Sequence, residues 1–458
     1  MQTVNMVEQW IYASFMAARP HLRETLDAFV RRPEWTRFLL DQLDSPDHSA
    51  VNVAVTGSKG KGSTSVMLAA ILRTHGYKVG LFTSPHLLHF NERIRVNGVK
   101  IADASLVRYA NKVREVADLL QVKLHPDEYI SPIGLAATIA ALHFREQQTH
   151  INIWECGRGA LYDDVNQIAH QVAIITPIMT EHINQLGAGL EDVAAHKFGV
   201  ITPTVQIVCI GRQHERVDHL LQRRERRWPD SQVVCFGRDF RVTDVQLNDG
   251  RTEFSVRTST ANYEDLRVPL LGAFQADNAA VALTASEQIV RLWPDLKRSS
   301  EGGKSERTTL NKAIVCDALE HIQWPGRLER LSREPPVIVD GSIHRHSARQ
   351  IVDALPLLYK KAGILIVGIP QDKDYAGVIQ VLAPFARQVI ITSAMRDDSN
   401  IAEDVVDVAK RFCTHVQFKQ QSAEAFRTGL REIAADEWLL IVGTQSLVGE
   451  AQTFFKER

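Results

Sequence analysis

The period of the apolar positions changes along the chain, and each change predicts an element. In the first 45 residues Trp10, Phe15, Leu22, Leu26 and Phe29 recur at three-to-four spacing, which predicts helix. Val51–Thr56 is a β-branched run and reads as a strand. Gly57 to Gly62 interrupts it with three glycines in six residues. Met67, Leu68, Ile71 and Leu72 then return to helical spacing, so a helix is expected from near Ser63. Lys78–Phe82 reads as a second strand. Strand, Gly-rich loop, helix and strand make a βαβ unit, which requires a parallel sheet covered by helices. Ile151–Trp154, Val172–Ile175 and Gln206–Ile210 are continuous enough for further buried strands, with helical stretches between most of them.

Leu296–Thr309 breaks the pattern with a polar, charged, Gly/Ser-rich run, as a linker or long exposed loop does. Beyond it Val337–Val339, Ile364–Val367, Val389–Thr392 and Leu439–Val442 are short apolar runs alternating with helical segments. The chain is therefore expected to be α/β throughout. A larger N-terminal domain with a parallel sheet spans 1–296 and includes the helical first segment. A linker covers 297–309, and a smaller Rossmann-like α/β domain covers 310–458. A ligand cleft between two such bodies is the default expectation.

Composition narrows this picture. With 23% charged residues and a net charge of −1, the 458-residue chain lacks the basic excess of a nucleic-acid binder. The five cysteines, Cys156, Cys209, Cys235, Cys316 and Cys413, are scattered and form no CxxC pair. That argues against a disulfide framework or zinc knuckle and for a reducing compartment, with the cytoplasm as the expectation. No run reaches the ~18–20 apolar residues of a membrane span, and no apolar leader opens the chain.

The chemistry begins at Thr56-Gly57-Ser58-Lys59-Gly60-Lys61-Gly62-Ser63-Thr64. Glycines there let backbone N–H groups turn toward phosphate oxygens, and the following helix N-terminus adds partial positive charge. Lys61 is expected to reach the terminal phosphates of ATP, and Ser63 or Thr64 to bond a phosphate or Mg²⁺. The N-terminal domain is thus expected to be a P-loop ATPase domain. Glu155 closes a buried strand, which puts a carboxylate at the ligand edge of the sheet.

This loop resembles the TGTNGKGST loop of the Mur ligase superfamily. Ser84-Pro85-His86-Leu87 and Asn91-Glu92-Arg93-Ile94 resemble, more narrowly, the folylpolyglutamate synthase and dihydrofolate synthase branch. The resemblance continues through Asp163 and Asn166 and through Leu271-Gly272-Ala273-Phe274-Gln275. It includes Trp324-Pro325-Gly326-Arg327-Leu328-Glu329 and Asp340-Gly341, and it ends with Asp372-Lys373-Asp374 and Gly443-Thr444-Gln445-Ser446-Leu447. It implies an ATP- and Mg²⁺-dependent ligase that activates a carboxylate as an acyl-phosphate and joins it to an amino acid. Glutamate and a folate are the favoured pair, and the ligase is implied to be a monomer. It implies metal ligands at Ser84, Glu155 and His182, with Lys197, carbamylated, at a second ion. It implies catalytic roles for Lys61, His182 and Lys197, and nucleotide contacts at Asn278, Arg327, Asp340 and His344. The sequence departs from the pattern at Ala160 and Leu161, where an arginine is lost. It departs again at Phe274 and Ile343, where histidines are lost, and at Ile130-Ser131, where a Phe-Glu pair is lost. Two other readings stay open on those departures: a superfamily ligase acting on a non-folate acid, and a nucleotide-binding partner protein without ligase activity.

Overall fold

Val51–Thr56 lies within an eight-stranded sheet. Across the sheet the order is Val99–Lys100, Ile94–Val96, Val79–Phe82, Ile151–Glu155, Val51–Thr56, Val172–Ile175, Ile207–Ile210 and Gln232–Cys235. From Val79–Phe82 onward the strands are parallel, with Val55 beside Glu155 and Thr56 beside Ile175. The central strands are buried on both faces, which is why their sequences read as continuous apolar runs rather than alternating ones. At one edge Ile94–Val96 and Val99–Lys100 form an antiparallel hairpin, whose turn residues Asn97 and Gly98 take φ of 50° and 83°. This computed structural model describes residues 1–225, 228–248, 250–293, 296, 309–358, 361–395 and 401–457.

Helices cover both faces. Lys61–Thr74 buries Met67, Leu68, Ile71 and Leu72 on one side, where Ala273–Leu292 packs beside it. Pro132–Glu146 and Asp103–Gln121 cover the other. The first 45 residues are helical but not as one stripe. They fold as Val4–Ala18, Asp27–Val30 and Glu34–Gln42, interrupted near Pro20 and Pro33. The phase restarts at each break. Val7, Ile11, Leu39 and Leu40 are therefore among the buried positions, while Leu26 and Phe29 are exposed.

A three-stranded antiparallel sheet, Arg241–Asn248, Arg251–Arg257 and Asn262–Val268, is absent from the sequence reading. Its first strand is mostly exposed and so carries no apolar run to betray it. The C-terminal body holds a six-stranded sheet in the order Glu329–Ser332, Val337–Asp340, Leu439–Gly443, Gly363–Gly368, Ala386–Ser393 and Val416–Gln421. All pair parallel except the first. The four apolar strands expected there are present, and the two polar edge strands are additions.

The expected linker, 297–309, lies outside the described residues except for its last position. The expected start of the second domain at 310 does not follow the packing. Leu310, Val315, Ala318, Leu319 and Ile322 join the core beneath Lys61–Thr74, and the helix Lys312–Glu320 packs on that helix. The C-terminal core takes its first strand at Glu329. A boundary near Trp324 is our placement of it. Among the described residues no helix is long and apolar enough to cross a membrane.

Candidate active site

Both parallel sheets present their carboxyl edges to one cleft of about 780 Å³, where ligands of open α/β sheets bind. From the first sheet come the loop Ser58–Ser63, Glu155 and Arg158. From the second come Asp340, Asp372 and Gln445, each at or just past a strand end.

The phosphate loop is shaped by close approach. Gly57 and Gly60 take φ of 139° and 84°. A Cβ on Gly60 would stand 2.3 Å from Asn278 Oδ1, and one on Gly57 would stand 1.9 Å from Thr176 Oγ1. The helix begins at Lys61, two residues earlier than expected, so the lysine is on its first turn. Lys61 Nζ donates to the Gly57 carbonyl at 2.9 Å. Lys59 lines the cleft, and burial lowers its pKa. Ser63 and Thr64 differ in placement. Ser63 lines the cleft, whereas Thr64 is fully buried and turned toward Asn278. Ser58 is tied to the Met179 backbone through its hydroxyl and lines the cleft beside it.

Glu155 stands where its strand leaves the sheet and is only 5% exposed. Its Oε2 accepts the Ser84 backbone N–H at 3.1 Å. Burial raises its pKa, against Lys61, the Ser84 N–H and Arg327. Among the described residues no group of three His, Cys, Asp or Glu side chains is placed to hold an ion on its own. A buried carboxylate that shares one cleft lining with Ser63 and another with Ser84 does suit Mg²⁺, which commonly takes one or two carboxylates and completes its shell with phosphate oxygens and water.

His182 takes a left-handed conformation (φ 49°) and lines the same cleft at its open side. Lys197 does not line the cleft. It is 1% exposed beneath the loop, where Nζ donates to the Gly57 carbonyl at 2.8 Å and to Glu181 Oε1 at 2.9 Å. In this state it is a donor under the phosphate loop rather than a ligand. Burial, with Lys61 nearby, lowers its pKa to about 8 although Glu181 opposes the shift. Glu181 was missed in the sequence, although it stands directly before His182.

Leu161 stands where the family pattern has an arginine, and a different guanidinium lies beside that loop. Arg31, from the N-terminal segment, donates to Asp163 Oδ2 at 3.1 Å and to the Tyr162 carbonyl at 3.3 Å. Asp163 also accepts the Gly157, Arg158 and Val165 N–H groups, and Arg158 forms a two-pronged pair with buried Asp27. No local signal could have found Arg31, because its partner is 132 residues away. Asn166 instead ties the loop to the Gly199 carbonyl.

Beside the phosphate loop Asn278 is held by Gln275 at 3.1 Å. Arg327 lines the cleft. Asp340 accepts the Leu328 N–H at 2.8 Å and the Ser342 hydroxyl, so much of its hydrogen-bonding capacity is engaged within the protein. His344 and Ile343 both reach the cleft, as does Phe274. Burial and then Lys59 hold the His344 imidazole below its usual range.

The class of the protein follows from two matches to this fold and site. Residues 55–286 match the Mur ligase middle domain, and residues 326–445 match the Mur ligase, glutamate ligase domain. The chain belongs to the Mur ligase family and is an ATP-dependent ligase of that family. Within the family it is similar to the dihydrofolate synthase/folylpolyglutamate synthase of Bacillus subtilis, at 27% identity over 81% of this chain and 83% of that protein. It is 29% identical to the folylpolyglutamate synthase of Lacticaseibacillus casei over 74% and 76%. The apo structure of L. casei folylpolyglutamate synthase superposes with a TM-score of 0.82 at 25% identity, covering 98% of this chain and 99% of that one.

Proposed function

We propose that this ligase joins the carboxylate of a folate to the amine of glutamate. ATP phosphorylates the acid to an acyl-phosphate and leaves as ADP. The glutamate amine then attacks the acyl carbon, phosphate departs, and an amide remains. The observation that carries the reading is that Gly62, Glu155 and Arg327 line both the nucleotide cleft, together with Lys61, and a second cleft of about 590 Å³. An acid reaching that junction from the second cleft lies beside a γ-phosphate held in the first.

Each residue's part follows from its placement. Lys61 exchanges the Gly57 carbonyl for a phosphate oxygen. Loop N–H groups and the helix N-terminus hold the β- and γ-phosphates. Arg327, with Lys61, offsets charge on the transferring group. Asn278, Asp340 and His344 hold the rest of the nucleotide. Glu155, Ser84 and Ser63 would hold Mg²⁺, which supplies charge neutralisation on the phosphate oxygens when bound. Lys197 enters as its carbamate. An amine must be neutral to add carbon dioxide, and a pKa of about 8 leaves roughly one molecule in ten neutral at pH 7. His182 stands at the cleft's open side to complete the site. A structure of folylpolyglutamate synthase with AMPPCP and folate superposes with a TM-score of 0.80 at 25% identity, which supports a pterin acid as the substrate. We take the protein to be a cytoplasmic monomer.

The test is ADP release with ATP, Mg²⁺ and glutamate, with and without tetrahydrofolate or dihydropteroate. Folate-dependent release with a mass gain of one glutamate is expected. Release only with a non-pterin acid would make the protein a ligase of another acid. No release with any acid of a panel, despite ATP binding, would return it to the non-catalytic reading.

A further inference from the structure

Between Trp324 and Leu328 the chain passes from the first body to the second, and both ends of the crossing are fixed. At its start Trp324 packs against the core beneath Lys61–Thr74. At its end Leu328 is buried in the C-terminal core. Trp324 also reaches the phosphate loop. A Cβ on Gly62 would stand 2.7 Å from its Cζ2, so the outer edge of the indole rests on bare backbone in the first turn of the helix that carries Lys61. The Arg95 guanidinium lies over the ring, 5.5 Å from its centroid.

The residues between leave the chain little freedom. Pro325 has its φ fixed by its ring. Gly326 takes a φ of 78°, and a Cβ there would stand 2.8 Å from Val448 Cγ1. Its N–H donates to Glu329 Oε2 at 2.8 Å, and its carbonyl accepts the Gly341 N–H at 3.1 Å. Leu328 takes a φ of 45°, uncommon for a residue with a side chain, and its N–H is tied to Asp340. Arg327 stands between these pinned residues and lines the nucleotide cleft. Its Nη1 lies close over Gly341, where a Cβ would stand 2.7 Å away.

We propose that Trp324 is a positioning residue for phosphoryl transfer: it ties the crossing to the phosphate loop, so that Arg327 meets the γ-phosphate from a turn pinned on both bodies. The inference rests on the assignment of Arg327 to the γ-phosphate. A guanidinium on a loose turn loses its freedom when it meets the phosphate, whereas one held in advance has lost it on folding. Gly62 is the reciprocal half of the contact, because its missing side chain lets the indole touch the helix. Lys61 and Arg327 are thus set relative to each other through one contact.

The experiment is calorimetric titration with Mg-ADP and Mg-AMPPCP, which differ in the γ-phosphate. It uses the wild-type protein, Trp324→Ala, Trp324→Phe, Arg327→Ala and the double variant Trp324→Ala/Arg327→Ala, each beside a melting curve. Trp324→Ala is expected to weaken AMPPCP about tenfold or more, the scale of one charge-assisted hydrogen bond, and to leave ADP within about twofold. Trp324→Phe keeps an aromatic ring without the outer edge and should show the same selective loss, smaller in size. That variant decides the matter where Trp324→Ala does not fold. The double variant should bind AMPPCP no more weakly than Arg327→Ala, since both changes remove one contact. Additive losses, or an equal loss of both nucleotides, would overturn the proposal. Weaker AMPPCP binding by Arg327→Ala with none by either Trp324 variant would overturn it alone. AMPPCP binding unchanged by Arg327→Ala would remove the assignment of Arg327 and the proposal together.

Discussion

Replacing Lys197 with methionine keeps much of its volume and removes its charge, and the structure sets the size of the effect. The ammonium is 1% exposed, and its pKa is about 8 in the fold against an ordinary 10.5. A base whose folded pKa is depressed binds fewer protons folded than unfolded, so stability rises with pH between the two values. Below pH 8 both states are protonated and the full penalty of the buried charge is present. Between pH 7 and 9 the relief amounts to about one pKa unit, or ~1.4 kcal/mol. Relief continues to about pH 10.5, where the penalty is gone. Urea unfolding of both proteins in carbonate-free buffer at pH 7 and pH 9 checks this. The wild type should gain ~1.4 kcal/mol more than Lys197→Met over that interval, because other titrating groups cancel in the difference. Identical pH slopes would show that Lys197 has an ordinary pKa, and would remove the basis for its ready carbamylation.

Three further outcomes test the site. Gly60→Ala places a Cβ 2.3 Å from Asn278 Oδ1 at a φ of 84°, so Mg-ATP affinity should fall about tenfold or more while the fold survives, as measured by calorimetry beside a melting curve. Lys61→Ala should abolish acid-dependent ADP release with little change in melting temperature, since among the described residues its ammonium bonds a loop carbonyl; substantial remaining turnover would defeat the phosphate-loop assignment. Glu155→Gln should raise the Mg²⁺ concentration for half-maximal activity at least tenfold, about the cost of one lost charged ligand, and an unchanged Mg²⁺ dependence would take Glu155 out of the metal site.

The local elements were legible where burial is complete. Val172–Ile175 is a strand at its expected limits, and Ile151 and Leu439 begin strands where their apolar runs begin. Elements that bury little were not legible, such as Arg241–Asn248 and Val416–Gln421. The candidate site was legible as motifs whose residues the fold brings to one cleft. Glu155, Arg327, Asn278, Asp340, His182 and the phosphate loop all border one cleft. Lys197 was legible as a residue but not as a position, since its place beneath Gly57 is set by the packing of Leu190–Phe198 under the loop.

The sequence by itself determined what repeats at short range: the βαβ order, the glycines that let the loop turn, and a carboxylate at the end of a buried strand. These depend on backbone geometry and on the apolar period, both of which act within a few residues. Only the tertiary structure decided which charges meet. Arg31 pairs with Asp163 from 132 residues away, Glu181 receives the ammonium of Lys197, and Arg95 lies on Trp324 without a carboxylate partner among the described residues. Charge pairs depend on distance in space and on exclusion of water, and neither is written in the spacing of the residues that form them.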